Sequence, residues 1–185
     1  MWCPKGGVCY INIKKMKTKL ILIIGLFIIA GTLYSQQEYI SEANGFKITF
    51  PSDWELEKNS GSMEVKGKLS VTDVYVVVKE HNDFKNKSIN EVANDDFKNA
   101  LLEQYSSLFD NLTVINSGLT TFNGYDAYRF SYTCDLFSDI KLVSTHYFLV
   151  HNSRLFAVTT SSTADQYPKD EKMINDVLSS FVFTD

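Results

Sequence analysis

Between Ile140 and Val150 the hydrophobic pattern leaves neither face of the chain polar. One face carries Ile140, Leu142, Ser144, His146, Phe148 and Val150; the other carries Lys141, Val143, Thr145, Tyr147 and Leu149. Side chains alternate faces along a strand, so this stretch predicts a strand covered on both sides, near the middle of a sheet. Its neighbours share the two-sided character, with Tyr128, Phe130 and Tyr132 against Ala127, and Phe156 and Val158 against Leu155 and Ala157. Three consecutive strands are expected, over 125–134, 138–150 and 154–162. The links at Asp135–Phe137 and Asn152–Ser153 are short, which suits antiparallel hairpins. After them the period changes. Met173, Ile174, Val177, Leu178 and Phe181 fall on one stripe of a helix expected over 168–181, with Pro168 near its start, where a missing N–H costs little.

The N-terminal half is less regular. Gln36–Asn44 is polar and reads as an extended lead-in. Phe46, Ile48 and Phe50 alternate with Lys47 and Thr49, giving a strand that Pro51 ends. Ser52–Trp54 is a turn, Glu55–Lys58 is short and charged and is assigned to no element, and Asn59–Ser62 is a turn signal. Met63–Val65 reads as a short edge strand and Val71–Lys79 as a full one. Ser88 with Glu91 has capping-box spacing and opens a helix whose buried stripe is Ile89, Val92, Ala93, Phe97, Ala100, Leu101, Gln104 and Leu108. Leu112–Ser117 is a further strand, and Asn123-Gly124 a hairpin turn. No internal repeat or second domain is visible.

The first residues change the picture of where the chain works. Lys17 and Lys19 precede an uncharged run from Leu20 to Gln37. A basic start, an apolar core and small residues at its end make a secretory signal peptide; the alternative is an uncleaved anchor, for which the run is short. Cleavage fits best after Ser35. Met1–Lys15 lies upstream of a complete signal and reads as a misplaced start. The expected organisation is therefore an extension over 1–15, a signal peptide over 16–35 and a single domain over 36–185. No Cys follows the apolar run, so a lipid anchor is not expected, and the membrane is met only during export. Five of the 18 basic residues and none of the 22 acidic ones precede Gln36, so the remainder has 13 basic and 22 acidic side chains, a net of about −9. An acidic domain with no basic stripe argues against nucleic acid. Cys3 and Cys9 also precede Gln36; Cys134 alone remains, which excludes a disulfide framework.

Gly45-Phe46-Lys47-Ile48-Thr49-Phe50-Pro51 with Trp54 soon after resembles the opening of PsbP-like domains. Tyr167, the helix, and Ser180-Phe181 before a last short strand are similar to their close. The superfamily includes the photosystem II extrinsic subunit P and bacterial DcrB-like envelope proteins. The resemblance implies an α+β fold, an antiparallel sheet flanked by helices on both faces. Its implication for activity is general, because members scaffold, chaperone or bind partners in different settings.

Candidate chemistry is sparse. His146 and His151 are five apart on one strand and so face opposite sides; His146 reads as a hydrogen-bonded sheet histidine, and His81 ends a different strand. Cys134 reads as a small buried hydrophobe. No metal-ligand spacing, G-x-S-x-G or phosphate loop occurs. Asp53, Glu55, Glu57, Asp95, Asp96, Asp165, Asp170 and Glu171 lack calcium-loop spacing and read as solvated surface, the last three favoured by a helix N-terminus. Tyr125, Tyr128, Tyr132 and Tyr147 read as core or cross-strand pairs. No catalytic, cofactor or metal residue is assigned. The expected function is an exported, non-enzymatic binding or assembly module with a protein partner. The alternatives are a carrier of a small apolar ligand in a sheet–helix cavity, and a hydrolase.

Overall fold

The computed structural model describes residues 35–137 and 140–184. The extension, most of the signal peptide and the expected strand start at Ser138 lie outside the described residues. Among the described residues there are ten strands: β1 Gln36–Ser41, β2 Phe46–Pro51, β3 Glu55–Ser60, β4 Met63–Leu69, β5 Thr72–Glu80, β6 Asp110–Phe122, β7 Tyr125–Phe137, β8 Ile140–His151, β9 Arg154–Thr163 and β10 Val182–Phe183. Three α-helices accompany them: α1 Ile89–Val92, α2 Asp95–Leu108 and α3 Tyr167–Ser179. The fold is α+β, and all strand pairs are antiparallel.

Two sheets form where one was expected. A seven-stranded sheet runs β3-β4-β5-β9-β8-β7-β6, and a three-stranded sheet runs β1-β2-β10. The polar lead-in is thus a strand, held by Tyr39, the one large side chain it buries, opposite Ile48. The charged Glu55–Ser60 is the outer strand β3, so β4 is an interior strand and not an edge. Charges suit β3 because edge strands are protected by them. The three strands of the C-terminal half are found as expected, though β7 runs on through Asp135–Phe137.

Alternate residues of the central strands serve two cores. Leu149, Phe156 and Val158 join Ile174, Val177 and Leu178 of α3 and Phe46, Ile48 and Phe50 of β2. Phe148, Leu155 and Ala157 join Ile89 of α1 and Phe97 and Leu101 of α2. Phe181 is fully buried as its spacing suggested, but outside the helix, which ends at Ser179. Its ring stacks on Phe46 at 5.5 Å.

The first helix is broken. Glu91 accepts from Ser88 N and Ser88 Oγ at 2.8 and 2.9 Å, so the capping box forms. Asn94 then caps a second start, its side chain accepting from Phe97 N at 2.9 Å. Asp95 and Asp96 in the new first turn favour that restart. The restart turns the buried stripe to Phe97, Leu101 and Tyr105; Leu108, expected inside, is 63% exposed.

One acidic side chain is not solvated surface. Asp170 is buried, accepting from Thr72 Oγ1 at 2.6 Å and Gln166 Nε2 at 2.9 Å, while Thr72 Oγ1 lies 2.7 Å from Ser162 Oγ.

Candidate functional site

Two features stand apart from the packed core: a cleft under α2, and the outer edge of β6. The cleft has a volume of about 690 Å³. Its floor is Tyr75 and Val77 of β5, Leu155, Ala157 and Thr159 of β9, and His146 and Phe148 of β8. Ala100, Leu101, Gln104 and Tyr105 of α2 form one wall, and the β3–β4 turn at Ser60–Met63 the rim. The cleft exists because α2 leans on β7 and β8 and leaves the β5–β9 floor uncovered.

At its inner end lies His146, 2% exposed. Its Nδ1 is 2.9 Å from Thr159 Oγ1 and 3.3 Å from Tyr105 Oη; its Nε2 is 3.4 Å from both Tyr132 Oη and Ser144 Oγ. Every one of these partners is a hydroxyl. Burial drives the imidazole down to about 3, so it is neutral at physiological pH. Burial likewise raises the phenols of Tyr105 and Tyr132. Such a cluster is neutral and internally satisfied. It supplies neither the carboxylate that orients a catalytic histidine nor a lowered nucleophile.

The other sequence candidates are dispersed. His151 belongs to the opposite core, its ring stacked on Phe183 at 3.8 Å. His81 is on the exposed turn after β5, its Nδ1 3.2 Å from Asp83 Oδ2. Cys134 is buried, and burial with Asp135 beside it raises its thiol. Among the described residues no three His, Cys, Asp or Glu are placed to hold a metal, and no helix is long and apolar enough to cross a membrane. Tyr128 and Tyr132 are core residues, as expected; Tyr125 packs at the margin of the opposite core.

The second feature was half visible in the sequence. β6 is longer than the expected Leu112–Ser117 and forms one edge of the seven-stranded sheet. Register shifts separate Asp110 from Thr113 and Val114 from Asn116, so Ile115 has no residue opposite it on β7. Val114, Ile115 and Leu119 are exposed at 36, 59 and 54%. Leu108 at the end of α2, Leu136 of β7 and Ile140 of β8 are exposed as well. The pairings Asp110↔Asp135 and Phe137↔Ile140 bring those three to the end of the sheet where β6 begins. Periodicity could not reveal this surface, because exposed and buried apolar residues look alike in sequence.

Comparison with known proteins places this architecture. A family model for PsbP matches residues 35–183. The chain belongs to the PsbP family. Among solved structures, this PsbP-family chain is similar to cyanobacterial PsbP (CyanoP) from Synechocystis, with 16% identity, TM-score 0.65, and coverage of 83% of this chain and 95% of that one. It is similar also to LpqN, described as involved in cell envelope biogenesis of Mycobacterium tuberculosis, at 11% identity, TM-score 0.55, 88% and 97% coverage. A Bacteroides thetaiotaomicron protein matches at 12% identity and TM-score 0.53 over 80% of this chain; that match spans 48% of the other protein. At these identities the likeness is one of fold. No curated protein sequence matches the chain.

Proposed function

We propose that this PsbP-family chain is an exported, non-enzymatic module that acts by docking another protein on the outer surface of β6. The observation that carries this reading is the exposed apolar run Val114, Ile115 and Leu119 on an edge strand. Apolar side chains grouped on such a surface mark interaction sites. Export rests on the signal-peptide pattern before Gln36, and the domain is taken as one unit over 36–185. A helix–sheet–helix layering is supported by the two cores that alternate residues of β8 and β9 feed. The family resemblance, and the envelope role stated for LpqN, point the same way.

The neutral hydroxyl cluster around His146 supports the non-enzymatic part of the reading. A carrier of a small apolar ligand would use the cleft beside it.

The test is a photo-crosslinking residue at Ile115, used in the native envelope, with Val71, exposed at 50% and away from β6, as the control position. A discrete protein adduct at 115, absent at 71 and lost when Leu119 is changed to Arg, supports docking at β6. Equal labelling at both positions, or none, contradicts it. A lipid retained in the native mass spectrum of the purified chain would support the carrier instead.

A further inference from the structure

We propose that β6 is a strand-pairing edge whose partner is a second copy of this chain, added antiparallel about a two-fold axis at Leu119. The proposal rests on the reading of β6 as a protein-docking surface and names its occupant.

The geometry follows from the hairpin. Asn123 and Gly124 have φ of 50° and 86°, the two positive values of a two-residue turn, and Phe122 faces Tyr125 across it. Residues flanking such a turn exchange both backbone bonds, and the exchange recurs at every second pair. Gly118, Thr120 and Phe122 therefore bond to β7, opposite Arg129, Ala127 and Tyr125. Ser117, Leu119 and Thr121 turn their N–H and C=O groups outward, away from the sheet.

Three observations set this edge apart. First, the two edges of the sheet differ in protection. β3 carries Glu55, Glu57 and Lys58 in six residues, while β6 carries a single charge, Asp110, in thirteen, and no proline. Charges, prolines and bulges keep an edge from pairing; the irregularities of β6 lie between Asp110 and Asn116, before the stretch Ser117–Phe122. Second, Gly118 sits in the evenly paired part of β6, beyond the register shifts; its φ of 153° is one that glycine adopts readily, and a Cβ there would meet nothing within 4 Å, so the strand is open at this point. That backbone conformation accounts for the glycine, and the missing side chain leaves room for another backbone to approach. Third, a pocket of about 410 Å³ lies beside the same residues, bounded by Ser117, Gly118, Leu119 and Tyr128 and by Asp95 and Lys98 of α2. Strand addition uses such pockets to receive alternate side chains of the added strand.

A second copy fits this edge by symmetry. With the axis at Leu119, Leu119 meets its counterpart, and Ser117 meets Thr121 of the other copy twice over. Each pair exchanges two backbone bonds, and hydroxyl and apolar cross-strand pairs are favourable. No like charges face one another between Ser117 and Phe122. The two-fold is perpendicular to the sheet, so the Asp95–Lys98 pocket of each copy lies on the same face beside the Leu119 pair. An interface of this kind is isologous and closes on itself. Strand pairing alone lies at the low end of stable interfaces, below about 1,200 Å², so a concentration-dependent dimer is expected.

The test is sedimentation equilibrium on the exported chain, purified after expression of the full sequence, from about 1 to 300 µM, a span set by the weak class of interface. The weight-average mass should rise toward twice that of one chain. Thr121→Pro removes only an outward N–H, and proline is tolerated there on an edge; Leu119→Lys places like charges on the axis. Both should stay at one chain throughout, with melting temperatures close to the parent's. A parent that remains a single chain at the highest concentration overturns the proposal, and so does a dimer that survives both substitutions. If the parent is a single chain while the adduct at Ile115 still forms with another protein, self-pairing fails and docking at β6 stands.

Discussion

Thr159 Oγ1 lies 2.9 Å from His146 Nδ1, joining β9 to β8 at the inner end of the cleft. The contact holds a neutral imidazole in a site from which its charged form is excluded. A pH dependence follows. Above about pH 6.5, the ordinary histidine value, the ring is neutral in folded and unfolded chains alike. Between there and about 3 the unfolded chain binds a proton that the folded chain refuses. Stability should fall as pH falls across that window, by up to about 1.4 kcal/mol per unit. Urea midpoints at pH 7, 6 and 5 should drop more steeply for the parent than for His146→Gln; parallel slopes would show that His146 accepts its proton while folded.

Phe181 closes the opposite core, stacked on Phe46 and 5.8 Å from Phe122. Phe181→Ala should cost on the order of 3–5 kcal/mol through the cavity it leaves. An unchanged denaturation midpoint would mean that this core is not closed by Phe181.

Gly67 is required by a close approach. A Cβ on it would run into the Phe50 ring, with Trp54 alongside. Gly67→Ala should therefore destabilise by about 1–3 kcal/mol as an overpacked site. Phe50→Leu in the same chain should recover part of that loss if the ring is the obstacle, which a double-mutant cycle reads directly. Strict additivity would place the strain elsewhere.

The exported chain should begin at Gln36, as the basic, apolar and small-residue order before Ser35 implies. N-terminal sequencing that finds Leu20–Ala30 intact in the exported form would instead indicate an anchor.

The parts of the fold that were legible in the sequence are those where local chemistry and tertiary packing agree. Asn123-Gly124 takes the positive φ values its turn needs, and Ile140–Val150 is apolar on both faces because both faces are covered. Where they disagree, the sequence misleads. Gln36–Ser41 and Glu55–Ser60 are polar because they are outer strands with little to bury, so neither shows a strand period. The helix from Ser88 looks continuous because a restart at Asn94 preserves apolar residues at similar spacing, yet it brings Tyr105 to the sheet and turns Leu108 out. His146 was recognisable as a hydrogen-bonded sheet residue, but its Tyr105 partner was not, since that contact depends on the restart. The β6 edge was the least legible. Gly118 interrupts the strand signal and Thr120-Thr121 shows no apolar alternation, and exposure of Leu119 is a property of the assembled sheet.

The openness of that edge is most directly measured by amide hydrogen exchange, residue by residue, on the dilute purified chain. Slow exchange is expected at Gly118, Thr120 and Phe122, which bond to β7, and fast exchange at Leu119 and Thr121. Those two fast amides should become protected when the concentration is raised or a docked protein is present. Uniform protection along Ser117–Phe122 in the dilute chain would mean that the edge is already covered, and would contradict the account.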